Sequence, residues 1–364
     1  MGGRSVMTTM TGLATDGIIG HGAVLASLER EAGEPSHSYL FVGPSNVGKA
    51  TVALVFAAAL VSISERSRSR VMRHVHPDVS VVGPEGRAML GVDQARQAIS
   101  GASLRPVESD RKVTIFDDAS LMTEAAANAL LKTLEEPPAR TVFVLVAESE
   151  DDLPATVVSR CRVIRFGRVP ETEVSAALVA MGVEVERAAM TARIAGGSPG
   201  LALDLVSDRG VGDFRRRWLG VPTKVTSRPG DGFRLADEML EAHRPLLDAV
   251  KERRRKEIDE IEARGYPVPK ALVDRHDRAL KRTGNALVVT GLEMLASWYL
   301  DSASAQYGGP LRNPDLKPTE LARMAPGHAV RCAEFVMDAA VQLRRNQRPR
   351  LVLAWLFTSL GGET

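Results

Sequence analysis

The stretch "SYLFVGPSNVGKA", Ser38 to Ala50, constrains the fold more than any other part of the chain. An apolar strand runs straight into a Gly-rich turn, and "KATVALVFAAALV" behind it reads as a buried helix. Gly43, Pro44, Ser45, Asn46, Val47, Gly48 and Lys49 follow G-x-x-x-x-G-K, the pattern of a phosphate-binding loop. In such a loop backbone N–H groups cradle phosphates and the lysine reaches the β/γ oxygens. The next position should be Ser or Thr, whose hydroxyl ligates Mg²⁺. It is Ala50, and Thr51 stands one place late, where its side chain points elsewhere on the helix.

A strand–loop–helix of this kind belongs to a parallel sheet. "VSVVG" (Val79 to Gly83), "KVTIFDD" (Lys112 to Asp118) and "TVFVLVAE" (Thr141 to Glu148) are β-branched, apolar runs of strand length. Helical stretches separate them, so the sheet should be covered on both faces. "TEAAANALLKTLEE" is one such helix, capped by Thr123 and stopped by Pro137-Pro138. After "RCRVIRF" the strand signals end and the pattern is helical. With 364 residues, two or three domains are expected. We place an α/β domain at 1–166, a small helical domain at 167–220, a Gly/Pro-rich linker at 221–232 and a helical domain at 233–364.

The net charge of +2 excludes a whole-molecule field strong enough to drive nucleic-acid binding, leaving only local patches. The two cysteines, Cys161 and Cys332, can build neither a disulfide scaffold nor a cysteine zinc site, which suits a reducing compartment. "MGGRSVMTTMTG" lacks the apolar core of a secretory signal, and "TVALVFAAALV" is too short to span a membrane. A cytoplasmic protein without membrane contact is expected.

Three further features carry chemistry. In "TIFDDAS", Asp117 ends a strand where a carboxylate can hold Mg²⁺ through water, and Asp118 takes the place of a water-activating Glu, one methylene short. Read alone, the pair could equally be a turn. Arg160, in "SRC", would alone be an ordinary surface arginine. "RSRSRVMRHVH" (Arg66 to His76) is basic without aromatics and reads as a solvated loop, and His74 and His76 cannot complete a zinc site.

Together, "LMTEAAANALLKTLEEPPARTVFVLVAESEDDLPATVVSRCRVIRF" resembles the core of the bacterial DNA polymerase III clamp-loader subunits. These are AAA+ proteins with an α/β P-loop domain, a helical lid and a helical collar. The likeness runs from Ile18 to the end of the lid segment and is weaker in the collar, where "NQRPRLVLAWLFTSL" is similar to the family's last helix. The resemblance implies a hetero-oligomeric ring with motor (gamma/tau) and delta subunits, acting on a sliding clamp and primed DNA during replication.

Within that family the gamma/tau motor hydrolyses ATP, whereas the delta-prime subunit has degraded ATPase parts. Against the motor pattern, Ala50 replaces the Mg²⁺ hydroxyl, Ala147 stands where a polar sensor would follow a strand, and Gly200, in "GSPG", stands where the lid would carry an arginine. Losing one preorganised electrostatic contact costs about 2.7–4 kcal/mol. Three would sum to roughly 9 kcal/mol, although effects within one site are not additive. The expectation is therefore a delta-prime-like subunit whose loop can cradle ATP or ADP without turning it over. Arg160 would be its contribution in trans, a finger reaching ATP on the neighbouring motor subunit. The family's four-cysteine zinc module is replaced here by "SISERSRSRVMRHVHPD", so no zinc is expected. The competing readings are an active gamma/tau-like ATPase and a nucleotide-regulated AAA+ scaffold outside replication.

Overall fold

The computed structural model describes residues 18–62, 64–84, 89–206, 210–263, 265, 268, 270–313, 315–322, 324–344 and 347–362. The opening "MGGRSVMTTMTG" lies outside the described residues. The chain divides into two compact units, the first formed by 1–181, 197–200 and 258–279, the second by 182–196, 201–257 and 280–364.

The first unit runs α1 (Gly22–Glu31), β1 (Ser38–Val42), α2 (Lys49–Val61), α3 (Glu65–Met72), β2 (Val79–Val82), α4 (Val92–Ala102), β3 (Lys112–Phe116), α5 (Glu124–Glu135), β4 (Thr141–Ala147), α6 (Ala155–Val158), β5 (Arg162–Arg165) and α7 (Glu171–Ala180). Its five strands lie in the order β2-β3-β4-β1-β5, all parallel. β1 and β4 are buried throughout, as central strands must be, while β2 at the edge buries only Val79. Alternate residues serve opposite faces. Tyr39 and Phe41 join Val52 and Phe56 of α2 on one side, and Leu40 joins Phe116, Phe143 and Leu130 on the other. This is a parallel α/β architecture, and among the described residues no further strand follows β5. The loop after β1 thus lies at the carboxyl end of the sheet, where open parallel sheets bind ligands.

The stretch Arg66 to His76 is not the solvated loop its composition suggests. Residues 65–72 form α3. Ser64 caps it, its hydroxyl accepting from Ser67 N–H at 3.2 Å, and Ser67 and Val71 are buried on its inner face. His76 is also buried. Its Nδ1 accepts from Asp78 N–H at 3.2 Å, which makes Nε2 the donor to Ser67 Oγ at 2.9 Å. Asp78 in turn accepts N–H bonds from Val107, Glu108 and Ser109 and the Ser109 hydroxyl, at 2.6–2.9 Å. The basic residues hid the helix because only one short stripe of it faces inward.

The second unit contains α8 (Val185–Ala195), most of α9 (Pro199–Leu205), α10 (Val211–Leu219), α11 (Pro229–Glu241), most of α12 (Arg244–Ala263), all but the first ten residues of α13 (Lys270–Ala305), α14 (Pro318–Leu321), α15 (Pro326–Arg344) and α16 (Pro349–Gly362). α11 packs along α16, burying Leu235, Met239, Leu353 and Phe357. The largest wholly buried side chain is Trp218 of α10. Nearby, buried Arg215 grips both carboxylate oxygens of Asp315, at 2.6 and 2.8 Å, and Asn313 Oδ1 at 2.8 Å. The stretch 221–232 is only partly a loop: Val221–Thr223 is a turn of 3₁₀ helix, and Pro229 opens α11 at a position that suits its fixed φ. Among the described residues no helix is long and apolar enough to cross a membrane.

Candidate functional site

The Gly-rich loop is built as its pattern predicts, and it is fastened to its own chain. Gly43 sits at φ 150°, and a β-carbon there would collide with the Phe166 carbonyl oxygen, so no side chain fits there. Asn46 and Gly48 also take positive φ, and Gly48 starts α2. Val47 is buried, and its carbonyl accepts from His21 Nε2 at 2.8 Å, the imidazole lying edge-on to Phe166. Lys49 is 7% exposed. Its ammonium donates to the loop's own carbonyls, Gly43 O at 2.5 Å and Pro44 O at 2.7 Å. The Ser45 hydroxyl bonds the Glu148 carboxylate.

Ala50 brings no hydroxyl to the first turn of α2, and Ala147 is a buried methyl at the end of β4, paired with Val42 of β1. Gly200 meets the loop through its backbone: its N–H, one of the unpaired donors at the start of α9, gives a 2.9 Å bond to Asn46 O. A β-carbon at Gly200 would lie 3.0 Å from that same oxygen.

Asp117 and Asp118 follow β3. Asp117 is buried, and its N–H donates to Val82 O at 2.8 Å. Asp118 takes the left-handed conformation at φ 60°, and its Oδ2 accepts from Arg278 Nε at 3.2 Å. Arg278 also donates to Pro84 O. Pro84 follows β2, whereas the Gly-rich loop follows β1, beyond β4 on the opposite side of β3. The two candidate acidic residues are thus at the expected strand end, but Asp118 is engaged on the side away from the loop. Among the described residues no group of three His, Cys, Asp or Glu side chains could hold a metal ion.

Arg160 stands just beyond α6, a third exposed. Nη1 donates to Thr156 O at 2.8 Å, and Nη2 pairs with Glu135, the last residue of α5. α5 places that carboxylate reliably: Thr123 Oγ1 accepts from Ala126 N–H at 3.2 Å to start the helix, and the helix ends before the two prolines.

Sequence reasoning missed four participants: His21, Glu135, Glu148 and Arg278. Glu135 and Glu148 lie inside motifs already singled out and could have been tested for partners. Arg278 sits 160 positions from Asp118 on a helix crowded with charge, and no sequence spacing distinguishes it.

Residues 23–170 match the family described as DNA polymerase III, delta subunit. The chain is similar to DNA polymerase III subunit delta' of Escherichia coli K12, with 41% identity over 133 residues, 36% of this chain and 40% of that protein. It is also similar to the delta' subunit of Bacillus subtilis 168, with 33% identity over 169 residues, 44% of this chain and 50% of that protein. The tau subunit of the same Bacillus strain is 33% identical over 141 residues, 37% of this chain and 25% of that protein. The matched stretches span between a quarter and a half of these curated relatives. A DNA polymerase III gamma subunit-related protein from Thermotoga maritima aligns over 93% of this chain and 98% of that one, at 19% identity and a TM-score of 0.43. The family match thus lies in the α/β region, residues 23–170, and the likeness to DNA polymerase III delta' subunits covers part of their length.

Proposed function

We propose that this chain is a delta-prime-like, non-hydrolysing member of a bacterial clamp-loader ring, working in the cytoplasm beside gamma/tau and delta subunits. In this reading its catalytic contribution is Arg160, which reaches ATP held by the adjacent motor subunit while a sliding clamp is set on primed DNA. The observation that carries the reading is the state of the Gly-rich loop. Lys49 donates to Gly43 O and Pro44 O, and Ala50 offers no magnesium ligand. Glu148 brings a carboxylate to Ser45 at the cradle, where it repels phosphate. Asp118 is paired with Arg278. The side chains present do not fit a magnesium nucleotide undergoing hydrolysis, and any ATP or ADP held there would be a passive ligand. The same reading gives the chain no zinc, the place of a cysteine module being filled by α3 and the Ser67–His76–Asp78 bonds.

Arg160 suits the role on chemical grounds. Its guanidinium is permanently charged, forked and partly exposed, and its partner is an exposed carboxylate. An exposed ion pair is worth about 0–1 kcal/mol, so a phosphate can displace it. The test is a ring reconstituted with motor and delta subunits, carrying Arg160→Ala. An intact ring whose DNA-stimulated ATP turnover falls supports the finger; unchanged turnover refutes it and leaves an architectural role.

The likeness to a tau subunit favours one alternative, an active ATPase that uses Thr51. Steady ATP turnover by the isolated chain that disappears in Lys49→Ala would establish that alternative.

A further inference from the structure

Arg278 is on the first turns of α13, in the part of that helix that belongs to the α/β unit. Its side chain is 12% exposed and that of Asp118 is 11% exposed. Two opposite charges this deep depend on each other, because removing either leaves an uncompensated charge out of water. The guanidinium makes more than one bond: Nε reaches Asp118 Oδ2 at 3.2 Å and Nη1 donates to the Pro84 carbonyl. Gly83 makes room for it. A β-carbon there would come within 2.8 Å of Arg278 Nη2, so the guanidinium lies directly over the Gly83 backbone. Asp118 itself takes a left-handed backbone at φ 60°, a conformation Asp adopts more readily than most non-glycine residues. Gly83, Pro84, Asp118 and Arg278 therefore form one fitted contact across three separate chain segments.

We infer that Arg278 and Asp118 form a latch fastening the start of α13 to the ends of β2 and β3, and that Asp118 serves as its anchor rather than as a water-activating carboxylate. The latch also closes a space. Lys270, Leu272, Asp274 and Arg278 form one wall of a cavity of about 540 Å³, whose other walls are β2, β3 and α4. Releasing Arg278 opens that wall beside β2, which among the described residues pairs with β3 alone.

Amide hydrogen exchange on the full chain tests this, comparing wild type, Arg278→Ala, Asp118→Asn and the double variant. The latch predicts that each single variant speeds exchange about tenfold or more, both in 270–279 and in 117–122. It also predicts that the double variant exchanges no faster than the faster single. Unchanged exchange at 117–122 in Arg278→Ala, or single effects that multiply in the double variant, would overturn it. Should Arg278→Ala fail to fold, Arg278→Lys decides. An ammonium keeps the charge but cannot reach both Asp118 and Pro84 with the same fork, so exchange must rise in both segments. Wild-type exchange in that variant refutes the latch. None of these measurements needs a partner subunit, so they stand or fall separately from the proposed ring function.

Discussion

The backbone N–H of Gly200 donates to the carbonyl oxygen of Asn46 at 2.9 Å, joining the start of α9 to the middle of the Gly-rich loop. A position where the family resemblance would put a charged sensor in a motor subunit is here a backbone contact, with tight space for a β-carbon 3.0 Å from that oxygen. Reversing the change should therefore fail. Gly200→Arg should lower stability by about 1–3 kcal/mol, the usual cost of forcing atoms into a packed contact, and should add no ATP turnover. Urea unfolding and a phosphate-release assay on the same preparation check both halves.

The isolated chain should show no ATPase activity above background, and Ala50→Thr should not create it. A restored hydroxyl leaves Lys49 bonded to Gly43 O and Pro44 O, and leaves Ala147 in place of a polar sensor. The measurement is turnover by wild type, Ala50→Thr and Lys49→Ala side by side.

Arg160→Lys should resemble Arg160→Ala more than wild type in a reconstituted ring. Arginine fingers contribute about 10³–10⁵ in some phosphoryl-transfer systems. A ring with several motor sites should lose less, because in the proposed arrangement only one of them faces this subunit. Ring assembly, followed by gel filtration, should be normal in both variants. The comparison of turnover in the two variants isolates the fork geometry from the charge.

His76 should make the fold sensitive to mild acid. Burial holds its pKa below the ordinary histidine value of 6.5, and Arg70 pushes it the same way against the opposing pull of Asp78 and Glu108. Its Nδ1 accepts a backbone N–H, which a protonated ring cannot do. The folded state thus favours the neutral ring, and the unfolded chain binds the extra proton. Stability from this residue is complete above pH 6.5 and falls as the pH drops below it, by at most about 1.4 kcal/mol per pH unit. Chemical denaturation between pH 7.5 and 5 should show the slope, and His76→Gln should flatten it while lowering stability at pH 7.5.

Much of the α/β unit could be read in advance, because its signals are local. β-branched runs gave β1 to β4, Thr123 and Pro137 bounded α5, and the Gly–Lys pattern placed the loop. α3 was illegible because its inward stripe is only Ser67 and Val71 among arginines, too little to show a period. The wiring of the site was illegible for a different reason. Ser45 with Glu148, Gly200 with Asn46 and Arg278 with Asp118 meet across 103 to 160 residues, and only the folded chain brings them together. Residue identity told where the chain departs from a hydrolytic pattern, whereas which bonds form at those places depended on packing.

Gly43, Gly48 and Lys49 each have a folding task in this chain: close approach to Phe166, the left-handed entry into α2, and bonds to the loop's own carbonyls. Natural selection acting on the fold alone would therefore keep these letters, whether or not ATP is spent here. Genome surveys that count energy-consuming enzymes by this pattern will include such chains, and the letter after the lysine is the cheaper discriminator.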